Sequence, residues 1–291
     1  MFLPGTAKAL EEGRPSRTAR GAALQRAAHQ LLESPRVFED PLALRIFGAE
    51  GVRRLGFNLE RYGTPASRGM RAFLVMRSRY AEDQLAEAHA RGTRQYVVLG
   101  AGLDTFAYRN PHKHLRVFEV DFAATQNWKR EMLSRQGIAV PRTLTFAPVD
   151  FERQTLAQGL KAAGFRADRP AFFSWLGVTI YLSEKAIRET LATVARGAPG
   201  SEIVFDFSSP PEAMGPAERR LHWRRAALVA RSGEPWVSYF EPETLASDLR
   251  AAGYGSALAL GAAALNERYF SGRADGFRLS GSGWMMAARV Q

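Results

Sequence analysis

Apolar and polar positions between residues 95 and 207 follow a repeating pattern of short apolar runs separated by longer amphipathic segments. The apolar runs are five to seven residues long, which is typical of buried strands, and they cover residues 95–99, 116–120, 143–149, 171–176 and 202–207. Helical spacing of apolar residues predicts helices between them, near residues 126–136, 155–163 and 184–195. Alternating strands and helices predict a parallel sheet with right-handed crossovers.

The pattern also predicts structure on both sides of this core. Helical spacing over residues 16–32, with Ser16 as N-cap, and over residues 67–90 predicts an N-terminal helical cap, residues 1–92. Residues 93–291 then form the sheet domain, in which strands near residues 257–260 and 284–290 bring the sheet to seven. We predict that an insertion after the fifth strand, residues 208–240, forms a lid over the carboxyl ends of the strands, where ligands bind in such folds.

A glycine turn follows the first predicted strand. Gly100 and Gly102 let the backbone turn sharply and approach a ligand. Asp121 closes the second strand about twenty residues later, at the spacing from which an acid binds ribose hydroxyls. The third glycine of the dinucleotide fingerprint is absent, and Asp104 places a carboxylate where a pyrophosphate would lie. A ligand with a positive centre fits better than NAD, and this indicates S-adenosyl-L-methionine.

Several motifs in the right order resemble the leucine carboxyl methyltransferase family, and in particular its bacterial O-methyltransferases of the tetracenomycin type. The segment Gly-Ala-Gly-Leu-Asp-Thr at 100–105 and the segment Phe-Glu-Val-Asp at 118–121 carry the likeness, and further matches lie at residues 29–41, 77–79, 149–151 and 174–182. The likeness runs from about residue 16 to 207. It implies a class I methyltransferase fold, an α/β Rossmann-like architecture with a mostly parallel seven-stranded sheet and helices on both faces. It also implies S-adenosyl-L-methionine as the cofactor.

The resemblance also implies roles for acidic and aromatic residues. Asp121 would bind the ribose, while Asp150 would accept a hydrogen bond from the adenine amine and Phe151 would stack on the ring. Asp104 would bind the ammonium group of the methionine moiety or cap the following helix; the residues leave both open. Gly100 and Gly102 would shape the cofactor turn.

Basic residues are expected to bind the carboxylate of the cofactor. Arg77 matches the family position for a guanidinium that offers two parallel donors, although Arg79 is an alternative two residues away. Arg26 matches a basic residue of the first helix that reaches the cofactor. Leu176 departs from the family, because many members have a glutamate before the glycine at this position. The departure favours a small molecule over a protein C-terminus as methyl acceptor.

Two residues are candidates for a general base, Tyr181 and His222. A carboxylate acceptor is already ionised and needs no base, whereas a phenol with a pKa near 10 would use one. The residues do not decide between these acceptors, and the catalytic residues stay open. Trp223, Trp236 and Tyr239 lie in or just after the insertion and suit a flat apolar acceptor.

Composition and charge bear on further classes of site, partner and location. The 291 residues contain no cysteine, and the five histidines lack metal-ligand spacing, so we predict no metal site. No window reaches the roughly 18 apolar residues of a membrane span, and no signal peptide is recognisable; we therefore expect a cytoplasmic protein with no membrane partner. The net charge of +11 comes mostly from arginines scattered along the chain, which disfavours a nucleic-acid partner. The oligomeric state is not predictable.

These observations predict an enzyme that transfers a methyl group from S-adenosyl-L-methionine to a carboxylate or hydroxyl of a small, aromatic or polyketide-like metabolite, as in secondary metabolism. Two alternatives remain: a protein C-terminal carboxyl methyltransferase, and a nucleic-acid-binding module on a methyltransferase fold.

Overall fold

The computed structural model describes residues 16–150, 154–231 and 233–291. Seven strands form one sheet: β1 (Gln95–Leu99), β2 (Arg116–Asp121), β3 (Leu144–Pro148), β4 (Phe172–Trp175), β5 (Glu202–Ser208), β6 (Tyr254–Leu260) and β7 (Gly283–Val290). Their order across the sheet is β3-β2-β1-β4-β5-β7-β6. Only β7 runs antiparallel to its neighbours β5 and β6. The mostly parallel seven-stranded sheet expected from the sequence is confirmed.

Twelve α-helices lie within the described ranges. Five precede the sheet: α1 (Arg17–Leu32), α2 (Leu42–Arg45), α3 (Gly48–Phe57), α4 (Leu59–Gly63) and α5 (Pro65–Ala90). The others are α6 (Phe106–Arg109), α7 (Ala123–Arg135), α8 (Leu156–Ala162), α9 (Glu184–Ala195), α10 (Pro216–Ala230), α11 (Pro242–Ala251) and α12 (Ala262–Phe270). The predicted helices of the core and the N-terminus are found, whereas α12 lies in a connection for which the sequence pattern predicted no helix.

Apolar side chains cover both faces of the sheet, as a parallel sheet requires. On one face, α8, α9 and α11 pack against the strands through buried residues such as Leu160, Ile187 and Leu249. On the other face, α5 and α12 supply Met76, Leu85 and Leu265 to a second cluster. The helix α5, which belongs to the predicted N-terminal unit, therefore packs directly on the sheet.

The first helix is positioned by caps at its N-terminus. The Ser16 hydroxyl accepts a hydrogen bond from the Ala19 amide at 3.0 Å, confirming the predicted N-cap. Glu234, from the segment after α10, accepts hydrogen bonds from the Arg17 and Thr18 amides at 3.0 and 3.3 Å. A carboxylate is stabilised there by the positive end of the helix dipole. This contact joins the insertion to α1 across the carboxyl ends of the strands.

Candidate functional site

A cavity of about 1060 Å³ lies at the carboxyl ends of the parallel strands. Its floor contains residues at or near the carboxyl ends of four strands, namely Gly100, Asp121, Leu176 and Asp206. Strand order reverses between β1 and β4, and ligands bind in the crevice at such a point. The walls come from α1, α5 and α10. Its volume is at the upper end of the usual range for ligand pockets, about 300–1,000 Å³.

The glycine turn after β1 forms the centre of the floor. Gly100 and Gly102 have φ values of +64° and +47°, which residues with a side chain rarely adopt. A Cβ atom on Gly100 would lie 2.2 Å from a methyl carbon of Val178, and one on Gly102 would lie 3.0 Å from the Cβ of Ala19. Any side chain at Gly100 would therefore displace its neighbour, and the turn brings bare backbone to the cavity.

Asp121 ends β2 beside this turn and is buried. Its Oδ2 accepts a hydrogen bond from the Gly102 amide at 2.6 Å, and its Oδ1 accepts one from the Phe122 amide at 2.7 Å. Burial raises the pKa of Asp121 to about 6, while these two amides oppose the shift. The carboxylate thus orients the glycine turn and keeps acceptor capacity for the hydroxyl groups of a ligand in the cavity.

A buried ion pair lies behind Asp121. Glu119 precedes it by two residues, on the same face of β2, and Lys129 of α7 donates to Glu119 Oε2 at 2.7 Å. Burial raises the pKa of Glu119 to about 7, and the Lys129 ammonium opposes the rise. The same ammonium opposes the rise that burial causes in the pKa of Asp121. Sequence reasoning missed this pair, although an acid at a core position of a strand was a visible signal.

Arg77 lines the cavity from α5, and Arg79 does not. The Arg77 guanidinium donates to Asp206 Oδ2 at 3.0 Å, and the Gly177 amide donates to Asp206 Oδ1 at 2.5 Å. Gly177 has a φ of +71°, and a Cβ there would lie 2.5 Å from Arg77 Nη2. The side chain of Arg79 is 49% exposed and pairs with Asp83. Asp206, which the sequence analysis missed, is an acid near the end of a buried strand, as Asp121 is.

Arg26 and Asp104 line the same cavity near the turn. Arg26 Nη2 donates to the Leu103 carbonyl at 2.6 Å, and its guanidinium lies 3.8 Å from the buried Asp40. Asp104 Oδ1 accepts a hydrogen bond from the Phe106 amide at 2.8 Å. Arg26 therefore ties α1 to the turn, and Asp104 orders the start of α6 while its carboxylate borders the cavity.

Asp150 follows β3 and also lines the cavity. Phe151, the predicted partner of the adenine ring, lies outside the described residues. Leu176, which replaces the family glutamate, contributes an apolar surface to the floor.

Both candidate bases line the cavity as well. Burial raises the pKa of Tyr181 above the ordinary value of a phenol, so its hydroxyl stays protonated at neutral pH. His222 of α10 is buried, and its Nε2 lies 3.0 Å from the hydroxyl of Tyr239. Burial lowers the pKa of His222, so the imidazole is neutral at pH 7.

Within the described ranges, no group of three or more potential ligand side chains could hold a metal ion. None of the helices in this part of the chain is long and apolar enough to cross a membrane.

The comparison with known proteins agrees with this geometry. Residues 19–195 match the family model described as leucine carboxyl methyltransferase. The protein YktD of Bacillus subtilis, named as a presumed S-adenosyl-L-methionine-dependent methyltransferase, is 34% identical over 206 residues, or 69% of this chain and 67% of the relative. A Frankia alni protein with the same naming, FRAAL3718, is 33% identical over 261 residues, or 83% and 87% of the two chains.

Solved structures share the fold at low identity. The crystal structure of a presumed methyltransferase from Thermobifida fusca superposes with a TM-score of 0.57 at 16% identity, over 97% of both chains. A DUF574 family protein from Streptomyces avermitilis gives a TM-score of 0.53 at 15% identity, over 93% of this chain and 97% of the other. At such identities the likeness concerns the fold alone.

Proposed function

The chain belongs to the leucine carboxyl methyltransferase family and is an S-adenosylmethionine-dependent methyltransferase, and we propose that it methylates an oxygen of a small, aromatic or polyketide-like metabolite. The observation that carries this proposal is the size of the cavity and the residues that line it, which include the glycine turn, Asp121, Arg77 and the lid helix α10. We assign the cofactor to a first end beside the glycine turn, Asp121 and Arg77, and the acceptor to a second end beside α10. A cofactor at the first end leaves space for an acceptor at the second.

The residues at the first end fit the cofactor. Asp121 offers carboxylate oxygens to two ribose hydroxyls, and Asp150 lies one strand away for the adenine amine. Arg77, held by Asp206, offers its guanidinium to the carboxylate of the methionine moiety. When bound there, the cofactor supplies an activated methyl group with a neutral leaving group, so positioning does most of the catalytic work.

Apolar side chains make up much of the lining. Met70 and Phe73 of α5, Leu221 and Val229 of α10, and Trp236 line the cavity, together with ionisable residues of α10. Apolar walls suit a flat apolar molecule, because they bury its surface and exclude water from the reacting atoms. Glu234 links the segment after α10 to the N-terminus of α1, a helix that also lines the cavity.

The surroundings of the basic residues support a small acceptor over a nucleic acid. Several arginines of the chain serve inside the fold: Arg71 pairs with the buried Glu33, and Arg109 pairs with Glu82. These guanidinium groups are bound to carboxylates of the same chain and are not available to the phosphates of a nucleic acid. The apolar side chain at Leu176 further supports a metabolite over a protein C-terminus.

The experiment incubates the enzyme with radiolabelled S-adenosylmethionine and a metabolite extract of the organism that encodes it, and then identifies what acquires label. We expect label in an apolar small molecule, and strongly reduced transfer by an Asp121→Asn variant at subsaturating S-adenosylmethionine. Label in a protein C-terminus or in RNA would refute the small-molecule proposal. Calorimetric titration with S-adenosylhomocysteine, run beside it, shows whether the cofactor site is intact in each preparation.

A further inference from the structure

The lid helix α10 presents ionisable side chains to the cavity at helical spacing. Glu218, His222 and Arg225 lie on its inner face, at intervals of four and three residues, and all three line the cavity. Trp223 and Leu228 lie on its outer face, 51% and 62% exposed. A lid that only excluded water would not require ionisable side chains on its inner face. These three residues are therefore candidates for a role in the reaction of the acceptor.

His222 has contacts with three aromatic residues. Its Nε2 lies 3.0 Å from the Tyr239 hydroxyl. Its ring lies 5.0 Å from the ring of Trp236 and 5.3 Å from that of Trp223, measured between centroids. These contacts fix the plane of the imidazole at the cavity wall. A neutral imidazole carries one proton, and when that proton is on Nε2 and donated to Tyr239, Nδ1 keeps its lone pair.

The other groups that line the cavity are less suited to accept a proton. Burial raises the pKa of Tyr181, so its phenol is protonated at neutral pH. Asp206 is paired with Arg77, and Glu234 accepts hydrogen bonds from the N-terminus of α1. Asp121 and Asp104 both accept hydrogen bonds from backbone amides around the cofactor turn. Glu218 also lines the cavity, but an ordinary carboxylate is a weaker base than a neutral imidazole. His222 is therefore better suited than these groups to accept a proton.

We propose that His222 is the general base of the reaction and that the acceptor oxygen is therefore a phenolic hydroxyl, not a carboxylate. This inference rests on the proposed function and narrows it. The acceptor oxygen forms a bond to the methyl carbon as the bond between methyl and sulfur breaks, and S-adenosylhomocysteine leaves as a neutral thioether. The hydroxyl proton passes to Nδ1 of His222, while Tyr239 holds Nε2.

Charges around His222 match this role. Glu218 on α10 and Glu212 in the segment before it raise the pKa of His222, whereas burial and Arg225 lower it. The balance keeps the ring neutral before the reaction, and the two carboxylates stabilise the imidazolium that forms. Tyr239, whose pKa burial raises to about 12, stays a neutral hydrogen-bond partner throughout. A carboxylate acceptor would carry no proton and would leave His222 without a function.

The test separates this inference from the proposed function by the chemistry of the product. Metabolites that acquire label from S-adenosylmethionine are treated with alkali, which hydrolyses methyl esters and leaves aryl methyl ethers intact. We expect the label to survive. Label released by alkali would overturn the inference and leave O-methyl transfer standing, whereas no label in any metabolite, with S-adenosylhomocysteine still bound, would overturn the proposed function itself.

Two variants test the residue on the labelled acceptor. His222→Gln keeps a hydrogen-bonding group beside Tyr239 but accepts no proton, and Leu228→Gln makes a matched change on the outer face of the same helix. We expect His222→Gln to lower kcat about 10²- to 10⁴-fold, with unchanged affinity for S-adenosylhomocysteine, and Leu228→Gln to behave as the wild type. Equal losses in both variants would overturn the inference, because they would report a disturbed lid.

The dependence of kcat/KM on pH also tests the role of His222. If His222 had a purely structural role, its substitution would not change this dependence. Because the pKa of His222 lies below its ordinary value, kcat/KM for the acceptor should fall with decreasing pH only below about 6.5 in the wild type. It is measured with S-adenosylmethionine at saturating concentration, so that protonation of Asp121 does not limit cofactor binding. His222→Gln should lose this acidic limb. An identical limb in the variant would assign it to another group and refute the role of His222.

Discussion

Asp121→Asn tests whether the buried carboxylate binds the cofactor or only orders the glycine turn. The side chain of asparagine has the same shape but no charge, and its amide group replaces one acceptor oxygen by a donor. The two Asp121 oxygens accept hydrogen bonds from the Gly102 and Phe122 amides. The change therefore affects both the hydrogen bonds to the ligand and those to the turn. The two effects are separated by measuring cofactor affinity and the stability of the free protein.

The expected loss of cofactor affinity follows from the hydrogen bonds of a charged acceptor. Such bonds contribute about 1.5–3 kcal/mol, so the dissociation constant should rise about 10- to 150-fold. The stability of the free protein should change little. The pKa of about 6 lies above the ordinary 3.8 of the carboxyl group, so the ionised Asp121 costs about 3 kcal/mol of unfolding free energy above pH 6. Asparagine removes this cost but leaves one amide unsatisfied, at about 1–3 kcal/mol.

Calorimetric titration with S-adenosylhomocysteine and thermal unfolding without ligand measure the two quantities on the same variant. Asp168→Asn, at an exposed position outside the cavity, is the control and should match the wild type. In the wild type, affinity should fall as the pH drops below 6, because only the ionised Asp121 accepts from both ribose hydroxyls; the variant should show no such dependence on this group. A variant with unchanged affinity and a strongly lowered Tm would refute the binding role and leave Asp121 as a structural cap.

Three further predictions concern the neighbours of the site. Arg77→Lys should weaken S-adenosylhomocysteine binding about tenfold or more by titration, because lysine cannot offer two parallel donors, whereas Arg79→Lys should leave it unchanged; equal effects would refute the assignment. Gly177→Ala should weaken binding similarly, since its methyl group would lie 2.5 Å from the guanidinium of Arg77. Lys129→Met should lower the unfolding free energy, measured in urea, by about 1.4 kcal/mol more at pH 8 than at pH 6. The buried Glu119 loses the ammonium that stabilises its charge and must take up a proton. The loss should shrink towards pH 6, since the pKa of Glu119 is already about 7 with the lysine present; a loss independent of pH would refute this cause.

The core of the fold was predictable because its strands are buried on both faces. A run such as residues 96–99 can be continuously apolar only where helices cover both sides, so the run predicts strand and parallel sheet together. The connection between β6 and β7 was not predictable in the same way. Its helix α12 packs through a few residues such as Leu265 and Phe270, and its other positions are polar or alanine, so the periodicity is weak.

Some residues of the candidate site were predictable from the sequence and others were not, depending on whether their contacts are local. Gly100, Gly102 and Asp121 lie within twenty-two residues of each other, and their roles depend on one strand, one turn and the next strand. Asp206 and Glu234 take part through contacts with residues 129 and 217 positions away along the chain. No local sequence pattern indicates these contacts. They form only when β5 packs beside α5 and when the segment after α10 contacts the N-terminus of α1.

The amino-acid sequence by itself determined the alternation of strands and helices, the glycine turn and the acid that follows it, because each depends on burial and backbone conformation within a few residues. Tertiary structure alone decided between Arg77 and Arg79 as the residue at the cavity, since both lie on one helix and only packing against Gly177 and Asp206 distinguishes the buried guanidinium from the exposed one. It also decided that His222 faces the cavity beside Tyr239. Which face of α10 lies against the cavity depends on the surface that the helix covers, and its own residues alone do not determine it.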